Sequence, residues 1–147
     1  MDYMTLSQQI FWGSLYLGGC FLIEILLLIW CVIVVRKLIA KFETKSLILA
    51  TAAPISISLA FIVLIHTLQV WIWAIVWVWW DVLPDWNSAL YFSLVTFTTL
   101  GYGDIVLGEG LRIFGAFASV TGLLAFGLST AFLVALMTRV FQERFMA

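Results

Sequence analysis

Charge is scarce in this chain: only 10% of its 147 residues are Asp, Glu, Lys or Arg, against about 25% in an ordinary soluble domain. Fifteen charged side chains cannot cover a soluble fold of this size when 65% of the residues are hydrophobic. The polar, aromatic-poor composition of disordered chains is equally lacking, since 24 residues are Phe, Trp or Tyr. A formal net charge of -1 supplies no basic surface, so a nucleic-acid partner is not expected. Cysteine is limited to Cys20 and Cys31, eleven residues apart in one apolar run. A helix places them about 16 Å apart along its axis, beyond the reach of a disulfide, and both read as buried apolar side chains. One histidine and no Cys/His cluster leave no zinc site. That histidine has no nucleophile or metal partner in its apolar run, which argues against an enzyme. What remains is an integral membrane protein.

Three apolar runs are long enough to cross a bilayer, which needs about 20 residues. The first, Ile10 to Val35, is interrupted only by Glu24. It is too long for a signal-peptide core and has no basic flank before it, so it is expected to stay in the mature protein. The second, Ser46 to Trp80, holds no formal charge apart from His66. As one helix it measures about 52 Å, so Pro54 is expected to bend an interfacial segment, residues 46–53, into the span proper. Trp71, Trp73, Trp77, Trp79, Trp80 and Trp86 crowd its far end, as in an aromatic belt at one membrane face. The third run is Leu111 to Thr138. Between the second and third, Trp86 to Leu100 is apolar but too short to span, which suggests a re-entrant segment. Pro84-Asp85 and Asn87-Ser88 supply helix-start chemistry before it, predicting a short helix over Ser88 to Thr98.

The loops differ in sign. Arg36, Lys37, Lys41 and Lys45 follow the first run, and Arg139 and Arg144 follow the third. Asp81, Asp85, Asp104 and Glu109 surround the short apolar segment. The positive-inside rule then puts the basic link and the tail in the cytoplasm, and the N-terminus and acidic link outside. The predicted fold is an all-α membrane protein of three transmembrane helices with a re-entrant helix and loop. Residues 1–45 form an N-terminal transmembrane helix with its basic link, and residues 46–147 form the remaining unit.

The chemistry lies directly after the short helix, in Thr98-Thr99-Leu100-Gly101-Tyr102-Gly103-Asp104. A cation that sheds its water inside a membrane needs a cage of oxygens in place of its hydration shell. Irregular backbone at that depth is tolerated only where it lines a cavity or is buried in protein. Alternating glycines permit backbone angles that other residues avoid. The carbonyls of Thr99, Leu100, Gly101 and Tyr102 are then able to converge on one axis. The Thr99 hydroxyl sits at the inner end, while the Leu100 and Tyr102 side chains turn away.

Thr99-Leu100-Gly101-Tyr102-Gly103-Asp104 resembles the selectivity-filter signature of potassium channels, with Leu100 where Val or Ile is commoner. The resemblance covers about 80 residues, from the second run to the end of the third. Residues 91–98 are similar to the family's pore helix, and residues 122–131 to its inner helix, with Gly122 at the gating-hinge position. It implies a homotetramer around one pore in the plasma membrane, in contact with membrane lipids. Potassium ions occupy the filter residues Thr99, Leu100, Gly101, Tyr102 and Gly103, and no organic cofactor is called for. Asp104, Tyr91, Phe92, Val95 and Thr98 are implied as filter support, and Leu123, Phe126, Thr130, Val134 and Thr138 as pore-lining.

Departures from the family pattern carry information. Phe92, unlike the tryptophan many members have there, cannot donate a hydrogen bond, which leaves Tyr91 to bond Asp104 behind the filter. Val95 replaces an acid found in some members. Tyr102 favours potassium selectivity over the non-selective relatives, which resemble this motif but carry Asp there. The alternatives are a non-selective cation channel on the same scaffold and a non-conducting membrane subunit or sensor.

No run carries a ladder of arginines, so a voltage sensor is not expected. Eight residues follow Arg139, too few for a ligand-binding domain, so gating is expected to be intrinsic, lipid-driven or supplied by a partner. Glu24 is the one formal charge inside a run and is costly there unless paired or neutral. Counted from the outer ends, Glu24 and His66 both lie about 21 Å deep, which predicts a Glu24–His66 pair between the first two helices; the alternative is a protonated Glu24 bonded locally. Gly115, Ala118, Ser119, Gly122, Ala125 and Ser129 in the third run permit close helix packing.

Overall fold

The computed structural model describes residues 4–41 and 47–145. Among them every regular element is helical: α1 Leu6–Lys41, α2 Leu47–Trp79, α3 Trp86–Phe97, a 3-10 turn Glu109–Leu111, and α4 Arg112–Phe145. Three stretches are long and apolar enough to cross a membrane, Leu6–Leu38, Ile48–Trp79 and Glu109–Gln142. The three predicted spans are therefore all present as helices, the first and third extending beyond their apolar runs and the second one residue shorter at each end. At 12 residues, α3 measures about 18 Å, well short of a bilayer's hydrocarbon thickness.

Local chemistry sets the helix ends. At the start of α1, Thr5 Oγ1 accepts from the Gln8 amide (3.4 Å) while Gln8 Oε1 accepts from the Thr5 amide (2.9 Å). This is the reciprocal capping box that Thr-x-x-Gln permits. α2 runs unbroken through Pro54 from Leu47 onward, so residues 47–53 are helical and continuous with the span. One missing amide donor does not stop a helix whose flanking residues are all good spanning residues, and the Pro54 carbonyl gains a donor from Ser58 Oγ at 2.9 Å. Asp81 ends α2 in the left-handed region (φ 54°), with the Val82 amide reaching back to the Trp77 carbonyl at 2.8 Å. Asp85 then caps α3: its side chain accepts from the Ser88 amide at 2.9 Å and from Ser88 Oγ at 2.7 Å. The helix begins at Trp86, two residues before the sequence-based start, because capping acts from Asp85 itself.

The chain forms two compact units, and each draws on all three long helices. The first comprises the described residues of Met1–Leu22 together with His66–Ala125. Its core is aromatic. Trp73 and Trp77, both fully buried, stack with centroids 5.3 Å apart, and Trp77 meets Phe92 and Phe114 edge-on at 5.5 and 5.4 Å. Tyr16 of α1 packs on Trp73 and Phe114, and Trp12 on Trp80. The aromatic-belt expectation therefore divides. Trp71, Trp79 and Trp86 are exposed, whereas Trp73 and Trp77 are core. Helical spacing decides this, since positions 73 and 77 share one face of α2 and 71 and 79 do not.

The second unit comprises the described residues of Ile23–Ile65 and of Phe126–Ala147. Its buried side chains include Leu28, Val35, Ile65 and Val140 alongside Glu24, Ser58 and Ser129. The Cys31 thiol donates to Ser58 Oγ at 3.6 Å, and the Ser58 hydroxyl in turn donates a hydrogen bond to the Pro54 carbonyl. Cys20 and Cys31 are both buried and neither forms a disulfide, as their apolar setting implies.

Candidate functional site

The segment after α3 is built on backbone handedness. Thr98 closes α3, and its hydroxyl donates to the Leu94 carbonyl at 2.7 Å. Beyond it the amides of Leu100 and Gly101 both return to the Val95 carbonyl, at 2.9 and 3.2 Å. Thr99, Gly101 and Gly103 have φ of 59°, 54° and 79°, while Leu100 and Tyr102 between them do not enter the positive region. An extended chain of uniform hand sends successive carbonyls to opposite sides; reversing the hand at every second residue removes that alternation. Glycine takes the left-handed region without penalty, whereas a residue with Cβ pays for it, so Thr99 is the strained member of the set. All five residues are exposed in the single chain.

Two contacts hold this segment from behind. Tyr91 Oη donates to Asp104 Oδ2 at 2.6 Å, linking α3 to the end of the motif. The Tyr91 hydroxyl holds the Asp104 carboxyl below its ordinary range. Farther along, Leu107 is buried, and its carbonyl accepts from Arg112 Nε at 3.3 Å. Phe92 and Val95 are buried on the side of α3 away from solvent, with Phe92 against Trp77.

The third long helix meets α3 at Gly122. A Cβ added there would overlap the carbonyl oxygen of Phe97 and lie 2.7 Å from its carbonyl carbon. Gly122 thus lets the backbone of α4 touch the last residue of α3, the close packing that small residues permit. α4 is unbroken through this position. Downstream, Leu123, Phe126, Thr130, Val134 and Thr138 are all exposed.

Two side chains of α1 contribute polar contacts that sequence reasoning missed. Gln9, 4% exposed, places Oε1 3.1 Å from the Ile113 amide and 3.3 Å from the Phe114 amide, capping the first turn of α4. Those amides are among the four that a helix start leaves without intrahelical partners. Glu24 is fully buried, and its Oε1 accepts from Ser129 Oγ of α4 at 2.9 Å. The structure gives Glu24 a bond to Ser129, which the sequence marks only as a small packing residue. His66 lies in the other unit, with its ring 6.1 Å from that of Phe97.

With this geometry in place, comparison with protein-family models matches an ion channel family over residues 55–139. The chain belongs to that ion channel family. The matched region takes in most of α2 and α4, all of α3 and the Thr99–Asp104 loop. Comparison with curated proteins and with solved structures gives no match. Family membership and three spanning helices make the chain a multi-pass membrane protein of a family that conducts ions passively.

Proposed function

We propose that this ion channel is a potassium-selective channel, with one pore formed by four copies of the chain. The observation that carries the proposal is the alternation of hand at Thr99, Gly101 and Gly103, each paired with a neighbour of ordinary hand. That pattern suits a strand whose carbonyls face one axis, and four such strands form the oxygen cage that replaces a potassium ion's water. One chain supplies only one strand, so the cage calls for a homotetramer. The exposure of Thr99–Gly103 in the single chain leaves them available to line such an axis.

In this reading α3 is a re-entrant pore helix, and its C-terminal dipole, about half a negative charge, favours a cation beyond Phe97. Tyr91 and Asp104 brace the filter, with Phe92, Val95 and Thr98 packing behind it. Leu123, Phe126, Thr130, Val134 and Thr138 line the inner pore, and Gly122 allows α4 to bend. The N-terminus and the acidic loops face outward and the basic segments face the cytoplasm of the plasma membrane. Residues 1–45 add a helix and link to the pore unit of residues 46–147.

Purified protein in liposomes with opposed potassium and sodium gradients tests the proposal. The expected result is a reversal potential that tracks the potassium gradient. A reversal potential near zero in mixed solutions identifies a non-selective cation channel, and absent flux identifies a non-conducting subunit.

A further inference from the structure

The contact between Glu24 and Ser129 is the feature of this molecule that conduction through a filter does not use. Glu24 belongs to α1, outside the matched family region, and Ser129 to α4, inside it. Both are buried, Glu24 completely and Ser129 to 3% exposure, and their oxygens are 2.9 Å apart. A carboxyl group is expensive within a span and is retained there where it makes a specific contact. Ser129 adjoins Thr130 and lies one turn from Phe126, both exposed. A rotation or tilt of α4 that moves Phe126 and Thr130 must therefore also move Ser129 against Glu24.

The two ends of the α1–α4 contact differ in kind. Near the start of α4, Gln9 caps Ile113 and Phe114, and Gly13 admits the Phe117 ring where a Cβ would stand. Those contacts involve backbone amides and a close approach, so they tie that end of α4 firmly. At Ser129 the tie includes a side-chain hydrogen bond to Glu24, which a displacement of α4 breaks. A side-chain bond of this kind, which is either made or broken, is an element on which a conformational equilibrium can turn.

We propose that Glu24 and Ser129 form a latch by which α1 holds the pore-lining helix, so that this hydrogen bond sets the channel's open probability. The inference rests on α4 lining the pore, as proposed above. Glu24 and Ser129 are positioning residues: neither touches the permeating ion.

Single-channel recording of the full chain in planar bilayers tests the latch with Ser129→Ala, Glu24→Leu, the double variant and Glu24→Gln. Ser129→Ala and Glu24→Leu are each expected to change open probability by about fivefold or more, the lower range of coupling between sites. Conductance and reversal potential stay at wild-type values, which separates a latch from damage to the filter. The double variant matches the single variants, since both remove the same bond. Glu24→Gln keeps an acceptor oxygen and stays within about twofold of wild type, a smaller effect than the loss of a coupling contact. If Glu24→Leu does not fold, Ser129→Ala and Glu24→Gln carry the same contrast. An unchanged open probability in Ser129→Ala, or additive effects in the double variant, overturns the latch while wild-type conduction leaves the pore reading standing. A wild-type protein that conducts nothing overturns the pore reading, and the latch with it.

Discussion

The two compact units differ in the chemistry of their own interiors. The unit that contains α3 and the Thr99–Gly103 loop packs Trp73, Trp77, Phe92, Phe97 and Phe114 around one another, with Trp12, Tyr16 and Trp80 against them. Among the described residues, the unit that contains Glu24 and Ser129 includes the aromatic pair Trp30 and Phe61, edge-on at 5.4 Å, together with buried aliphatic side chains and buried hydrogen bonds. Lipid tails are as apolar as leucine, so helices in a bilayer associate through packing and polar contacts instead of escape from water. Large flat rings give many dispersion contacts per side chain and fix the backbone that carries them. The difference teaches where rigidity is placed: the aromatic unit contains the segment that needs fixed carbonyls under the proposed function, and the other unit contains the part of α4 that a gate would have to move.

The largest effect is expected from Gly122→Ala. The added methyl collides with the Phe97 backbone carbonyl, which no rotamer change relieves. The loss exceeds the about 1–3 kcal/mol of ordinary overpacking, and α3 parts from α4. Thermal unfolding in detergent measures it; a wild-type midpoint removes the tight joint from the aromatic unit.

Trp77→Ala comes next, at about 3–5 kcal/mol for a fully buried large ring. Leu28→Ala, in the other unit and also buried, is expected near the lower end of its class, about 2 kcal/mol. Equal losses in mixed-micelle unfolding would break the comparison between the units. Gly101→Ala separates stability from conduction. Nothing lies within 4 Å of a Cβ at that position, yet its φ is +54°. The fold loses only the about 1–2 kcal/mol of a left-handed residue, while potassium flux disappears because the carbonyl geometry changes. Flux at wild-type level in a folded Gly101→Ala protein would sink the filter assignment.

How much of this was legible in the sequence follows from the range of each signal. The spans come from runs of apolar residues, and the short helix from Asp85 and Ser88, three positions apart; both signals are local. The Tyr91–Asp104 bond was legible because the motif brings those residues near one another. Gln9 and Ser129 were not, since their partners lie 104 and 105 residues away. Nothing periodic marks a side chain that caps another helix. Depth counted from the ends of apolar runs gives no information on which way a side chain faces around its helix, so it does not reveal Ser129 as a partner of Glu24. Trp73 and Trp77 were misjudged for the related reason that tryptophan is common both at interfaces and in cores. The close approach at Gly122 was visible only as a small residue, one among six on α4.

The smallest effect is expected at Asp85, at the edge of the aromatic unit. Its carboxylate caps α3 through the Ser88 amide, and that bond, with the Ser88 hydroxyl, holds its ionisation below the ordinary carboxylate range. A depressed carboxylate contributes stability that is present above its ordinary pKa. The contribution fades as pH falls through the lowered value, because protonation weakens the acceptor. Asp85→Ala therefore lowers the midpoint of the aromatic unit slightly at neutral pH and less in acid. Asp85→Asn keeps an oxygen for the Ser88 amide, since asparagine caps as well as aspartate, and is expected to retain the neutral-pH midpoint while flattening its acid dependence. Melting curves across the acid range, read for wild type and both variants, check this. An Asp85→Asn protein with the wild-type acid dependence would assign that dependence to another carboxylate and leave Asp85 only its capping bond.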